Sequence, residues 1–167
     1  MVKRQVFSGF IVLVFTLMLW GCGSSDTNGT GQPETQHKQN TVQKQSKYPF
    51  PEGAEIKGNG QLIISTPSGT SEDGSIPILF VNENVLLIQI GADLMDWEGD
   101  KEVFFYIDEF FVEAQQGGEM LSVSLDLEGD HLKPGLHTVS AVQFVNNDPS
   151  KGVVSYQQAT FEIKAGG

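Results

Sequence analysis

"LSVSLDLEGDHLKPGLHTVSAVQFV", residues 121–145, decides the fold. In its first part Leu121, Val123, Leu125 and Leu127 fall on one face, with Ser122, Ser124 and Asp126 on the other. Alternation at period two is the signature of a pleated strand with one buried side. Residues 138–145, "TVSAVQFV", alternate again, with Val139, Ala141 and Gln143 opposing Ser140, Val142 and Phe144. Between the two lies "EGDHLKPG", whose Gly, Asp and Pro residues favour turns over regular structure. The stretch therefore reads as strand, turn, strand.

The same grammar extends in both directions. Short runs rich in Val, Ile and Phe predict strands near 61–66, 77–81, 84–91, 102–107, 109–114, 119–127, 136–145 and 153–164. No segment sustains a 3.6-residue period for three turns, so helix is expected to be nearly absent. The expectation is an all-β domain over residues 48–167, a β-sandwich of seven to eight strands.

Upstream of Tyr48 the composition differs. Residues 23–47 contain one aliphatic side chain, Val42, among Gly, Ser, Thr, Asn and Gln. Such a segment buries too little apolar surface to offset the entropy of ordering it, so 22–47 is expected to be a disordered tether. Before it, Lys3 and Arg4 precede a 15-residue apolar run from Val6 to Trp20. That run is short for a membrane-spanning helix and suits a signal-peptide core, residues 1–21.

Charge narrows the partners. The chain carries −11 overall, and from Tyr48 onward 19 carboxylates face five lysines, a net of −14. A nucleic-acid binder needs a basic footprint, so nucleic acid is excluded as a partner. Anionic headgroups would also repel the domain, so membrane attachment must come from something other than charge. A basic protein is the partner favoured.

Two resemblances add to this reading. Leu19-Trp20-Gly21-Cys22 resembles the lipobox of bacterial lipoproteins, with Trp20 departing from the usual small residue. The resemblance implies cleavage after Gly21, a diacylglycerol group on the Cys22 sulfur, and residence at the extracytoplasmic face of a cell membrane. The polar tether is similar in style to those of Gram-positive lipoproteins. Residues 125–164 resemble the last strands of bacterial immunoglobulin-like domains, with Leu132, Gly135, His137 and Val139 in a Leu-x-x-Gly-x-His-x-Val run. That likeness implies an immunoglobulin-like sandwich in which His137 occupies the corner between strands E and F and bonds local backbone.

Candidate chemistry is sparse. Asp96-Trp97-Glu98-Gly99-Asp100 and Asp126-Leu127-Glu128-Gly129-Asp130 share the pattern D-x-E-G-D. Asp96, Glu98 and Asp100 are weak calcium candidates, but the glycine stands fourth where a helix–loop–helix calcium loop needs it sixth. Two solvated acidic turns, at opposite ends of the sandwich, are the simpler account. His131 and His137, even with Met95 or Met120, have no spacing of a transition-metal site. No nucleophile elbow, P-loop or dinucleotide fingerprint occurs, and the expectation is a protein that is not an enzyme and needs no cofactor.

Recognition on sandwiches clusters on loops. The candidate surface combines Asp93, Met95, Asp96, Trp97, Glu98 and Asp100 from "ADLMDWEGDK" (92–101) with Asn146, Asn147 and Asp148. Its anchor would be an exposed Trp97; the alternative is that Trp97 folds back to cap the core. The run Phe104, Phe105, Tyr106, Phe110, Phe111 is a second docking candidate, or simply core. The leading expectation is a non-catalytic binding or adhesion module. The alternatives are an accessory subunit of a cell-envelope complex, or a calcium- or small-ligand-binding sandwich.

Overall fold

Residues whose side chains alternate do become strands in the computed structural model, which describes residues 47–167. The signal peptide, Gly21, Cys22 and all of the tether except Lys47 lie outside the described residues. In chain order the strands are β1 (Gln61–Thr66), β2 (Gly69–Thr70), β3 (Ile78–Val81), β4 (Leu87–Met95), β5 (Glu102–Ile107), β6 (Phe110–Gln116), β7 (Met120–Glu128), β8 (Gly135–Phe144) and β9 (Val153–Ala165). Short 3-10 turns at Glu72–Gly74, Gly129–Leu132 and Val145–Asn147 are the only helical elements among the described residues. The extra strand beyond the expected eight is β2, two residues long.

Two sheets form, ordered β2-β1-β4-β7 and β3-β9-β8-β5-β6. All pairs are antiparallel except β3 with β9. With β1, β4 and β7 as strands A, B and E, and β5, β6, β8 and β9 as C, C′, F and G, this is an immunoglobulin-like sandwich. The strand after C pairs with C, not with E.

Alternation explains the core. Leu125 and Leu127 of β7, Ile90, Ala92 and Leu94 of β4, and Ile64 of β1 face Val103, Phe105 and Ile107 of β5 and Val139 and Ala141 of β8. All are buried. Each of the larger side chains, the Val, Ile, Leu and Phe, gains roughly 1.5–3 kcal/mol on leaving water, which is how a domain without a disulfide holds its two sheets together.

The other face of β5 needed a cover that the strand pattern does not supply. Phe104, Tyr106, Val142, Phe144 and Tyr156 point away from the β2-β1-β4-β7 sheet and form a separate aromatic cluster. The segment preceding β1 lies over them. Tyr48 packs edge-on against Phe104 (5.4 Å between ring centres), and Phe50 against Tyr106 (5.3 Å). Lys57 and Tyr156 exchange backbone hydrogen bonds of 3.0 and 2.8 Å, and the Tyr106 hydroxyl donates to the Pro49 carbonyl at 3.1 Å. Burial pushes the Tyr106 hydroxyl well above its ordinary value. Four of the five aromatics of that run are thus core, Phe105 inside the sandwich and Phe104, Tyr106 and Phe111 beneath the arm, while Phe110 stays exposed.

The E–F corner is built as its sequence implies. His137 Nε2 lies 2.8 Å from the Lys133 carbonyl, four residues upstream, and Nδ1 lies 2.6 Å from Asp108 Oδ2. Both neighbours are acceptors. Asp108 also accepts from the Thr138 amide at 2.9 Å through Oδ1. These bonds hold the β5–β6 turn, where Asp108 (φ 49°) and Glu109 (φ 71°) take the left-handed conformation of a two-residue hairpin without a glycine.

Candidate functional site

The loop between β4 and β5 and the loop between β8 and β9 meet at one end of the sandwich, as the sequence suggests. Asn147 Oδ1 accepts from the Glu102 amide at 3.0 Å, and Gln143 Nε2 donates to the Glu98 carbonyl at 2.8 Å. The content of that end differs from expectation. Ala92–Met95 continue β4, so Asp93 and Met95 are strand residues on its outer side, where Asp93 accepts from the Ser122 hydroxyl. Trp97 is 4 % exposed, its indole N–H donating to the Gln61 carbonyl at 2.8 Å. It folds back against Gly60, where a β-carbon would come within 2.6 Å of the ring. Trp97 is therefore a plug of the core and offers no surface anchor.

The charged groups around it are occupied by one another. Glu98 and Asp100 both pair with Lys101, and the Glu98 hydrogen bond is the main reason the ammonium sits above its ordinary value. Asp148 accepts from the Ser150 hydroxyl and amide, which hold its carboxyl below its ordinary value. Asp96, Asn146 and Asn147 spend their turn-forming capacity on positive φ angles of 60°, 58° and 55°. Asp96, Glu98 and Asp100 do not converge: among the described residues no three His, Cys, Asp or Glu side chains are grouped to hold a metal.

A different region is open. Strand β6 ends one sheet and β7 ends the other, so each has a free edge on the same side of the sandwich. Between them runs a groove of about 630 Å³ lined by Leu86, Phe110–Glu113 and Asp126–His131, with Leu127 turned into the core instead. Leu86 is 86 % exposed and Phe110 58 %. No lysine or arginine lines it. Glu113 Oε1 is buried without a hydrogen-bond partner. Burial, then the nearby Asp126 carboxylate, push the Glu113 carboxyl above its ordinary range. Burial also lowers His131, whose ring lies 5.9 Å from that of Phe110.

The second D-x-E-G-D copy belongs to this region. Asp126 and Glu128 lie on β7, and Gly129 (φ 57°) turns the chain into the 3-10 segment that carries Asp130. The registers Leu87↔Glu128 and Met95↔Met120 put the two copies at opposite ends of the β4–β7 pair. Sequence reasoning singled out this copy and Phe110, and missed the groove, Leu86 and Glu113. The available signal was a carboxylate in the apolar run "FFVEA".

Comparison with known proteins adds distant likenesses. No family model and no curated protein matches the chain. Among solved structures, the fibronectin(III)-like modules of Clostridium thermocellum CbhA align with 64 % of this chain and 100 % of their own length, at 11 % identity and a TM-score of 0.37. A Jonesia denitrificans lytic polysaccharide monooxygenase aligns with 56 % of this chain and 61 % of its own, at 14 % identity and a TM-score of 0.34.

Proposed function

We propose that the protein is a lipid-anchored, non-catalytic binding module held at the outer face of a cell membrane through Cys22. The observation that carries the binding part is the acid-lined groove with large apolar side chains, Leu86 and Phe110, left in water between two free strand edges. Apolar surface framed by charge in this way fits a protein partner better than a small-molecule pocket, which would be concave and enclosed. The anchoring part is supported by the sequence order of Lys3-Arg4, apolar core, Gly21 and Cys22. Acyl chains supply roughly 0.8 kcal/mol per buried CH₂, an affinity that a domain rich in carboxylates lacks by itself.

Metabolic labelling with a radioactive fatty acid tests the anchor: wild type takes up label, Cys22→Ala does not. Label retained in Cys22→Ala would overturn it. In-cell crosslinking of the anchored protein, followed by mass spectrometry, tests the binding. A recurrent partner is expected. A membrane protein of the same cell would make the module an accessory subunit; a secreted or foreign protein would make it an adhesion factor.

A further inference from the structure

We infer that the groove between β6 and β7 takes an extended segment of a partner with a lysine or arginine two residues from an apolar side chain, the cation seating on Glu113 and the apolar side chain on Phe110, which the pairings Phe105↔Glu113 and Ile107↔Phe110 put on one face of β6. This rests on the binding reading above and names its site and ligand chemistry. Three observations converge on it. The free edges of β6 and β7 present unpaired backbone groups, the usual template for an added extended chain. The wall carries Glu113, Asp126, Glu128 and Asp130; Lys133, beside the groove, pairs with Asp130, and Asp126 accepts from Gln89, which still leaves the wall net negative, so a cationic occupant is selected by charge. Glu113 Oε1 is buried without a donor, and an ammonium or guanidinium reaching into the groove supplies one.

The occupant is not a second copy of this domain. With 19 carboxylates against five lysines from Tyr48 onward, two copies repel, and Lys101, Lys133, Lys151 and Lys164 each already pair with a carboxylate. Nor does the acidity alone define the site. The opposite end is as acidic, yet its carboxylates Glu98, Asp100 and Asp148 are taken by Lys101, Ser150 and Lys151.

The probe is a fluorescein-labelled peptide repeating Lys-Ser-Val-Ser, titrated into the full-length chain and followed by anisotropy. Its control has the same composition with the lysines in one block, which carries equal charge without the spacing. The spaced peptide should bind about tenfold more tightly than the block peptide, and Glu113→Gln and Phe110→Ser should each weaken it by about fivefold. Asp96→Asn with Asp100→Asn should leave it unchanged. Carbodiimide coupling should join peptide lysines to Glu113, Asp126 or Glu128. Equal affinity of the two peptides, indifference to Glu113→Gln, or coupling confined to other carboxylates would each overturn the inference. In cells, a partner that crosslinks to wild type and persists with Phe110→Ser plus Glu113→Gln would refute the groove while leaving the binding reading intact. If wild type captures no partner, the binding reading falls, and the peptide titration still judges the groove.

Discussion

The two D-x-E-G-D copies differ in what their neighbours do with them. At Asp96–Asp100 the apolar residue is Trp97, drawn under Gly60 and fastened to the Gln61 carbonyl, while Lys101 gathers the acids. At Asp126–Asp130 the apolar residue, Leu127, also turns inward, but the acids stay on an open edge beside exposed Leu86 and Phe110. The acids of the first copy are spent on a neighbouring lysine; of the second, Asp130 pairs with Lys133 and Asp126 accepts from Gln89, while the Oε1 of nearby Glu113 has no donor. The same pentapeptide thus serves closure in one place and exposure in the other, and the tertiary partner decides which.

The strongest way to break this contrast is at Trp97. Trp97→Ala empties a buried site and orphans the Gln61 carbonyl, and should cost about 3–5 kcal/mol in denaturant unfolding. A cost below about 1 kcal/mol would mean the indole is not a structural plug. Next is Gln143, fully buried with its amide on the Glu98 and Lys101 carbonyls. Gln143→Leu should cost about 0.5–1.5 kcal/mol, the loss of the amide's donation, because the Glu98 carbonyl keeps the Lys101 amide and the Lys101 carbonyl keeps the Gly117 amide.

The open region should respond differently, through pH. The folded protein holds the Glu113 proton more tightly than the unfolded chain, whose ordinary value is 4.5, because burial penalises the carboxylate. Stability is therefore lost as pH rises above that value and regained below it. Glu113→Gln should melt higher than wild type at neutral pH and equal to it near about pH 3. A variant that melts lower at neutral pH would show that the carboxylate is stabilising where it lies. The smallest effect belongs to Phe110, whose ring is mostly in water. Phe110→Ser should change stability by less than about 0.5 kcal/mol, and a larger loss would make it core.

Much of the fold was legible because a half-buried strand must alternate. Leu121–Leu127 and Val139–Phe144 show the pattern plainly, and β7 and β8 follow it. The position of His137 in its corner followed from a turn whose spacing is local. Pairing over distance was not legible. The parallel β3–β9 register joins Ile78 to Glu162 and the Tyr48–Lys57 arm joins Lys57 to Tyr156, partners far apart in the chain, and nothing in "YPFPEGAEIK" names its cover. The apolar outer positions Phe104 and Tyr106 did state that some cover was required. Trp97 was ambiguous for the same reason, since its receptor, Gly60, lies 37 positions earlier. The groove escaped notice because its walls are two strand edges, and alternation reports which face is buried, never which strand ends a sheet.

The most direct test places a photo-crosslinking amino acid at Phe110 and, in separate cells, at Asp148, in the natively anchored protein. The account predicts a recurrent partner captured from position 110 and none from position 148. Capture from 148 with silence at 110 would contradict it, moving recognition to the end where Trp97 is buried and Lys101 pairs with Glu98 and Asp100.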